Sequence, residues 1–184
     1  MAHHIAVVVG SLRRESFNRQ LAQAVISLAP SDFTFEFIDI GSLPLYSQDY
    51  DADYPEAGKH LKQRIEAADG LLFVTPEYNR SMPGVLKNAL DWGSRPWGTN
   101  SWRGKPGAVI GTSLGATGTA LAQQHLRNVL AYLDVAVLGQ PEVFIKHDAA
   151  VINEKGEILN DGTRKFLQSF VDRYAAWVKH RGAA

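Results

Sequence analysis

The densest run of polar chemistry in this chain is Gly10-Ser11-Leu12-Arg13-Arg14-Glu15-Ser16-Phe17-Asn18, which directly follows the apolar stretch Ile5-Ala6-Val7-Val8-Val9. Ser11, Ser16, Asn18 and two arginines therefore stand between a buried strand and the start of a helix. The first turn of a helix leaves backbone N–H groups free and carries roughly half a positive charge. A phosphate can sit there, with Ser11, Ser16 and Asn18 donating and Arg13 adding charge. Hydrogen bonds to a charged group contribute about 1.5–3 kcal/mol each, so a few of them anchor a phosphate monoester. A Walker loop or a dinucleotide fingerprint needs further glycines, and after Gly10 this loop has none. A terminal monophosphate fits it better than a pyrophosphate. The plainer alternative is that Ser16 caps the helix and the arginines are solvated.

Two more loops have comparable character. One is Thr75-Pro76-Glu77-Tyr78-Asn79-Arg80-Ser81-Met82-Pro83-Gly84, leading into Val85-Leu86-Lys87-Asn88-Ala89-Leu90-Asp91-Trp92. Lys87 and Asp91, four apart on one helical face, read as an exposed pair worth a few tenths of a kcal/mol. The other is Gly111-Thr112-Ser113-Leu114-Gly115, with Gly118 opening the next helix. It matches G-x-S-x-G, the nucleophile elbow of α/β-hydrolases. On that reading Ser113 is a nucleophile, served by His147 or His180 with Asp134 or Glu142 as the acid.

Taken together these residues resemble the NADPH-dependent FMN reductase family, which includes bacterial quinone and chromate reductases. The marks are Gly10-Ser11-Leu12-Arg13 with Ser16 and Asn18, then Pro76-Glu77-Tyr78-Asn79, then Pro83-Gly84 with Leu86-Lys87-Asn88-Ala89 and Asp91-Trp92, then the third, glycine-rich loop. The resemblance spans essentially the whole chain. It implies that Ser11, Leu12, Arg13, Ser16, Phe17 and Asn18 hold the phosphate and ribityl chain of FMN. It also implies that Pro76, Glu77, Tyr78 and Asn79 follow the isoalloxazine edge, and that Thr112, Ser113 and Gly115 lie beside the flavin, the two hydroxyls as donors. A proline-started loop presents rigid backbone donors and acceptors to such a ring, and Tyr78 supplies an apolar wall.

The activity implied is ping-pong hydride transfer from NADPH or NADH, through bound FMN, to small oxidised acceptors: quinones, chromate, azo compounds or free flavin. The assembly implied is a homodimer or homotetramer. Flavin binding outweighs hydrolysis, because a hydrolase has no use for the first two loops and His180 lies at the end of the last helix. A flavodoxin-type electron carrier is the other alternative; such carriers are usually strongly acidic, and this chain has formal net charge zero. Arg95, in Gly93-Ser94-Arg95-Pro96-Trp97, is either a contact for an anionic acceptor or the nicotinamide phosphate at the flavin edge, or an interface or surface arginine. Trp92, Trp97 and Trp102 fall in one short region, which suggests a subunit contact near the site.

The elements that must position these loops follow from periodicity. Ile5 to Val9 reads as a central strand buried on both faces, and Leu21, Val25 and Leu28 mark a helix ending before Pro30. Phe33, Phe35 and Phe37 alternate with polar residues, as in a strand near a sheet edge. A helix from about Ala57 to Ala68 and the strand Leu71 to Val74 come next, then a helix from Gly84 to Asp91 and a strand from Gly107 to Gly111. A helix from Thr119 to Leu133 leads to a fifth strand, Ala136 to Ile145, interrupted at Gly139 and Pro141, and Thr163 to Lys179 forms the last helix. Asp148 to Gly162 reads as a surface excursion. Five βα units predict an α/β, flavodoxin-like, doubly wound parallel sheet in the order 2-1-3-4-5, helices on both faces, with ligands beyond the C-terminal strand ends.

Composition narrows the classes further. At 184 residues the chain reads as a single domain, residues 1–184. Zero net charge argues against nucleic acid and membrane-surface partners. The chain contains no cysteine, which excludes thiolate metal sites, disulfides and cysteine nucleophiles, so redox chemistry depends on a bound cofactor. No segment approaches the roughly 20 apolar residues of a membrane span, no signal peptide is evident, and a cytoplasmic protein without a metal site is expected. His3-His4 reads as an exposed end, not a metal pair, since adjacent residues of an extended segment face opposite ways.

Overall fold

Apolar residues occupy both sides of the central strands, and this double burial sets the architecture. The computed structural model describes residues 2–182. In β1 (His3–Val9), Ile5, Val7 and Val9 enter one core while Ala6 and Val8 enter the other. The same alternation divides β3 (Gly70–Val74), with Leu72 and Val74 on one side and Leu71 and Phe73 on the other, and β4 (Pro106–Ser113), with Ile110 opposed to Val109. These strands need helices on both faces. The first core is covered by α1 (Phe17–Ile26) and α5 (Asp161–Gly182), the second by α2 (Glu56–Ala67), α3 (Gly84–Ser94) and α4 (Ala120–Tyr132).

All strand pairings are parallel, and the order is β2-β1-β3-β4-β5, with β2 (Phe33–Phe37) at the edge. The interrupted fifth strand predicted from Gly139 and Pro141 is two short pieces lying along one neighbour. β5 (Ala136–Val137) pairs with Pro106 and Gly107, and β6 (Val143–Lys146) pairs with Ile110 to Ser113. In such a sheet each helix runs back against its strands, so helix N-termini gather at one sheet edge and helix C-termini at the other.

Three expectations need correction. Trp92 and Trp102 are fully buried within the chain, their indole N–H groups donating to the carbonyls of Pro44 (2.7 Å) and Leu90 (3.0 Å); of the three only Trp97 is exposed. A tryptophan buries large area when its N–H finds a partner, and here both find it internally. His3 and His4 are not a loose end: both belong to β1 and pair with Phe33 and Thr34 of β2. The segment from Asp148 to Gly162 is also more than a surface excursion, because Ile152 and Ile158 form an antiparallel bridge and are buried in the first core.

At the sheet edge, Glu36 on β2 receives His4 Nε2 at 3.2 Å and forms an ion pair with Arg64 of α2. Burial pushes the Glu36 carboxyl pKa up, but hydrogen bonds from Arg64 and His4 outweigh it and hold the group below the ordinary carboxylate value. A depressed acid contributes stability above its unfolded pKa and loses it as the pH falls through the folded value. Glu36→Gln should therefore cost about 1 kcal/mol at neutral pH. Urea denaturation of both proteins should show the gap closing as the pH drops below about 4; a gap independent of pH would show that the ion pair is not its source.

Candidate active site

The C-terminal ends of β1, β3 and β4 are adjacent, so the loops that follow them share one edge and span roughly 10 Å. A buried amide ties the outer two together. Asn18, in the first turn of α1 and 3% exposed, donates from Nδ2 to the Thr112 carbonyl at 2.9 Å and accepts the Thr112 N–H at Oδ1, 3.0 Å. The second loop is tied to the third by Glu77, whose Oε2 accepts the N–H groups of Leu121 and Ala122 at 3.1 Å each, at the start of α4. His147, just past β6, donates its backbone N–H to the Ser113 carbonyl at 2.7 Å.

The first loop is arranged as an anion cradle. Ser16 is the N-cap of α1, its Oγ accepting the Arg19 N–H at 3.2 Å, which leaves its hydroxyl proton to donate outward. The capping and phosphate readings of Ser16 are therefore compatible. Among the described residues the backbone N–H groups of Arg14, Glu15, Ser16, Phe17 and Asn18 meet no acceptor within the chain, and α1 has no acidic residue in its first turn. The Arg13 guanidinium lies 4.4 Å from the Phe17 ring centroid, and the His147 ring stacks on Phe17 at 3.6 Å. A ring stacked that closely covers one face of Phe17, so Arg13 takes the other. Burial lowers the His147 pKa, Asp148 opposes this and Arg13 adds to the lowering, which favours the uncharged ring.

In the second loop, Tyr78 and Ser81 exchange both backbone hydrogen bonds (2.9 and 3.0 Å) around Asn79 and Arg80, whose φ angles are 51° and 66°. Two positive φ values at the central positions make this a type I′ turn. It leaves Tyr78 half exposed on the site, with Pro76 buried beneath. His125 of α4 steadies the turn through Nδ1, 3.0 Å from Ser81 Oγ. Between this turn and Ser113–Gly118 lies a cleft of about 500 Å3, lined also by Glu77 and Arg80. Gly111 lets β4 and α4 close beneath it, since a Cβ there would collide with the Thr75 carbonyl and the Thr119 hydroxyl.

The structure revises several side-chain roles. Asn18 is a strut, its carbonyl and one amide proton committed to Thr112. The Thr112 hydroxyl donates to the Ile145 carbonyl at 2.8 Å and the Ser113 hydroxyl to the Gly118 carbonyl, so neither is a free donor as expected. What this loop leaves for a ligand is the backbone N–H groups of Leu114, Ala116 and Thr117, since the Gly115 N–H goes to Ser113 Oγ at 3.2 Å. Ser113 is also a poor nucleophile. It is the last residue of β4 and has no positive φ, and it forms no hydrogen bond to a histidine side chain. The hydrolase reading therefore fails on geometry. Lys87 and Asp91 form the expected exposed pair at 2.8 Å.

Arg95 is not brought to these loops within the chain. α3 starts at the loop edge and runs back to the other end of the sheet, where Arg95 stacks over Trp97 at 5.4 Å and lines a separate hollow of about 270 Å3 with Arg103 and Tyr132. Eleven helical residues carry the chain about 16 Å from the second loop, so closeness in sequence does not bring Arg95 to it within one chain. Sequence reasoning passed over Arg80, His125 and the stacking role of His147. Asn79, a residue that tolerates positive φ, was the available signal for the turn.

Residues 3–150 match the model of the NADPH-dependent FMN reductase family. Over 181 residues, 98% of this chain and 99% of the relative, the sequence is 68% identical to a 2-hydroxy-1,4-benzoquinone reductase of Burkholderia sp. It is 49% identical over 178 residues to a quinone reductase of Pseudomonas putida, covering 96% of this chain and 95% of that one. Among solved structures it superposes on FerB, a flavoenzyme NAD(P)H:(acceptor) oxidoreductase from Paracoccus denitrificans. The TM-score is 0.94 at 46% identity, covering 98% of this chain and 99% of that one.

The clasp makes a prediction. Asn18→Ala leaves a buried N–H and a buried carbonyl unpaired, which should lower stability by about 2–4 kcal/mol. Asn18→Asp should not rescue it, since a carboxylate faces the Thr112 carbonyl. Urea midpoints of the flavin-free proteins check both; a midpoint shift under about 1 kcal/mol for Asn18→Ala would show that water replaces the amide.

Proposed function

This chain belongs to the NADPH-dependent FMN reductase family, and from that premise we propose that it passes electrons, through bound FMN, from a reduced nicotinamide to small quinones. The observation that carries the FMN assignment is the run of free N–H groups from Arg14 to Asn18 at the start of α1, whose first turn has no acidic residue and whose one nearby acid, Glu15, is exposed and lies 3.9 Å from Arg13; Asn18 ties this run to Thr112, beside Ser113 of the cleft. The Burkholderia and Pseudomonas putida relatives, both reductases of quinones by name, support the acceptor.

In this reading the backbone of residues 14–18, the Ser16 hydroxyl and Arg13 hold the FMN phosphate, with Ser11, Leu12 and Phe17 shaping the cradle. Pro76, Glu77, Tyr78 and Asn79 present backbone to the ring edge, and the loop through Thr112, Ser113 and Gly115 closes the far side. FMN, when bound, supplies the two-electron chemistry that this cysteine-free chain lacks. The residues supply orientation: stacking nicotinamide or quinone on the open side of the cleft brings the reacting atoms together without a catalytic acid or base. Exposed Tyr78 and Leu114 give both substrates an apolar surface.

We also propose cytoplasmic action, where reduced nicotinamides are available, and assembly as a homodimer or homotetramer. Exposed Trp97 and Tyr132 near Arg95 support an assembled state. Any substrate contact by Arg95 depends on another copy presenting that end of α3 to the cleft.

The purified protein should take up FMN and oxidise NADPH or NADH on addition of a quinone; a protein that binds no FMN would overturn the proposal. For the phosphate cradle, Arg13→Ala combined with Ser16→Ala should weaken FMN binding tenfold or more relative to riboflavin, read by flavin fluorescence titration. Equal loss for both flavins would place the phosphate elsewhere.

A further inference from the structure

Arg80 has no role in holding the fold that the structure reveals. It is exposed, at the second central position of the Tyr78–Ser81 turn, and lines the 500 Å3 cleft. Its φ of 66° is a conformation that glycine or asparagine adopts readily and a long side chain does not. The turn is held by the paired Tyr78 and Ser81 backbone bonds and by His125, none of which uses the Arg80 side chain. Among the described residues that guanidinium makes no ion pair or hydrogen bond. The one carboxylate lining the cleft, Glu77, is turned to the α4 N-terminus and accepts two N–H groups there. An unpaired cation with a planar fork of donors, on a backbone held by the turn, thus stands at the wall of the cleft on whose open side the proposed acceptor lies.

Resting on the quinone-reductase reading above, we propose that Arg80 selects ring-hydroxylated quinones, bound as their anions, as the acceptors of this site. A quinone bearing a hydroxyl group on the ring is a vinylogous carboxylic acid and is ionised at neutral pH. Its charged oxygen lies beside a ring carbonyl, so two acceptors in one plane face outward. A guanidinium meets such a pair with two parallel N–H bonds, whereas lysine offers only a point charge. A neutral quinone gives the fork one weakly basic oxygen and no charge. Discrimination then comes from differential binding of two molecules nearly alike in size.

The test uses FMN-loaded protein with two acceptors, 2-hydroxy-1,4-benzoquinone and its neutral near-isostere 2-methyl-1,4-benzoquinone, measuring the ratio of kcat/KM values. In Arg80→Gln the hydroxy-to-methyl ratio should fall about tenfold or more, mainly through KM for the hydroxyquinone. Arg80→Lys should recover part of it. Arg80→Gly should raise Tm by relieving the left-handed backbone while losing the same selectivity, which separates recognition from strain. The ratio should also collapse in the parent protein as the pH is lowered until the hydroxyquinone is protonated.

A parallel fall for both quinones would overturn the proposal by making Arg80 a flavin or loop residue. A change confined to KM for NADPH would overturn it by making Arg80 a nucleotide contact. Titration of the oxidised holoprotein with the hydroxyquinone, followed by its visible absorbance, reads binding without turnover. Binding weakened by Arg80→Gln in a protein that reduces neither quinone would uphold Arg80 as the anion contact and sink the reductase reading. Equal binding by parent and variant would sink the inference alone.

Discussion

The side chain of Asn18 substitutes for a piece of β-ladder. By donating to the Thr112 carbonyl and accepting the Thr112 N–H, it treats the end of β4 as a neighbouring strand would, although it belongs to a helix that follows β1. β3 lies between those two strands, so no backbone pairing could join them. The clasp passes across the sheet's C-terminal edge and fixes the start of α1 relative to the third loop. Both hydrogen bonds are buried, where an unpaired partner costs about 1–3 kcal/mol, so the geometry is held tightly. The cradle at residues 14–18 and the cleft beside Ser113–Gly118 inherit their spacing from it.

Two of the helices that start at this sheet edge have N-termini treated in opposite ways. α4 is closed by Glu77, a carboxylate that accepts N–H groups of its first turn and leaves little positive potential for a ligand. α1 is left open: its cap is neutral serine, its first turn has no acid, and Arg13 stands over Phe17 beside it. An anionic ligand reaching this edge finds one attractive terminus and one already neutralised, so its polarity along the edge is decided before any base or ring is recognised. In the proposed reading the phosphate end goes to α1, and the remainder of the molecule extends towards β3 and β4.

Much of this was legible in the sequence because it depends on composition and local pattern. The double-sided apolar strands, the single-faced β2, the break at Gly139 and Pro141, and the three polar loops at one edge all follow from residues close together in the chain. What was not legible depends on partners far away. Thr112 and Ser113 look like free donors until the Ile145 and Gly118 carbonyls are seen to take their protons. Glu77 meets α4 more than forty residues later. Gly-Thr-Ser-Leu-Gly satisfies a hydrolase pattern, which specifies residue types but not the φ or the hydrogen bond that makes a serine reactive. Arg95 and the internally bonded Trp92 and Trp102 show the same limit. Position along a helix decides which end of the sheet a side chain reaches, and packing decides whether an indole faces a partner subunit or the core.

The turn at Asn79 and Arg80 shows how a strained element can be stable without being optimal. A type I′ turn reverses the chain in two residues and points the N–H groups of Asn79 and Arg80 away from the Tyr78–Ser81 pair. Asparagine tolerates the first position; arginine at the second is held against its own preference by bonds made elsewhere, at Tyr78, Ser81 and His125. Strain confined to one residue of an exposed turn costs far less than a defect in either core, because the turn has no packed neighbours to displace. A rigid frame therefore lets the second loop carry a residue chosen for its charge and not for its backbone, at the place where an acceptor enters the cleft.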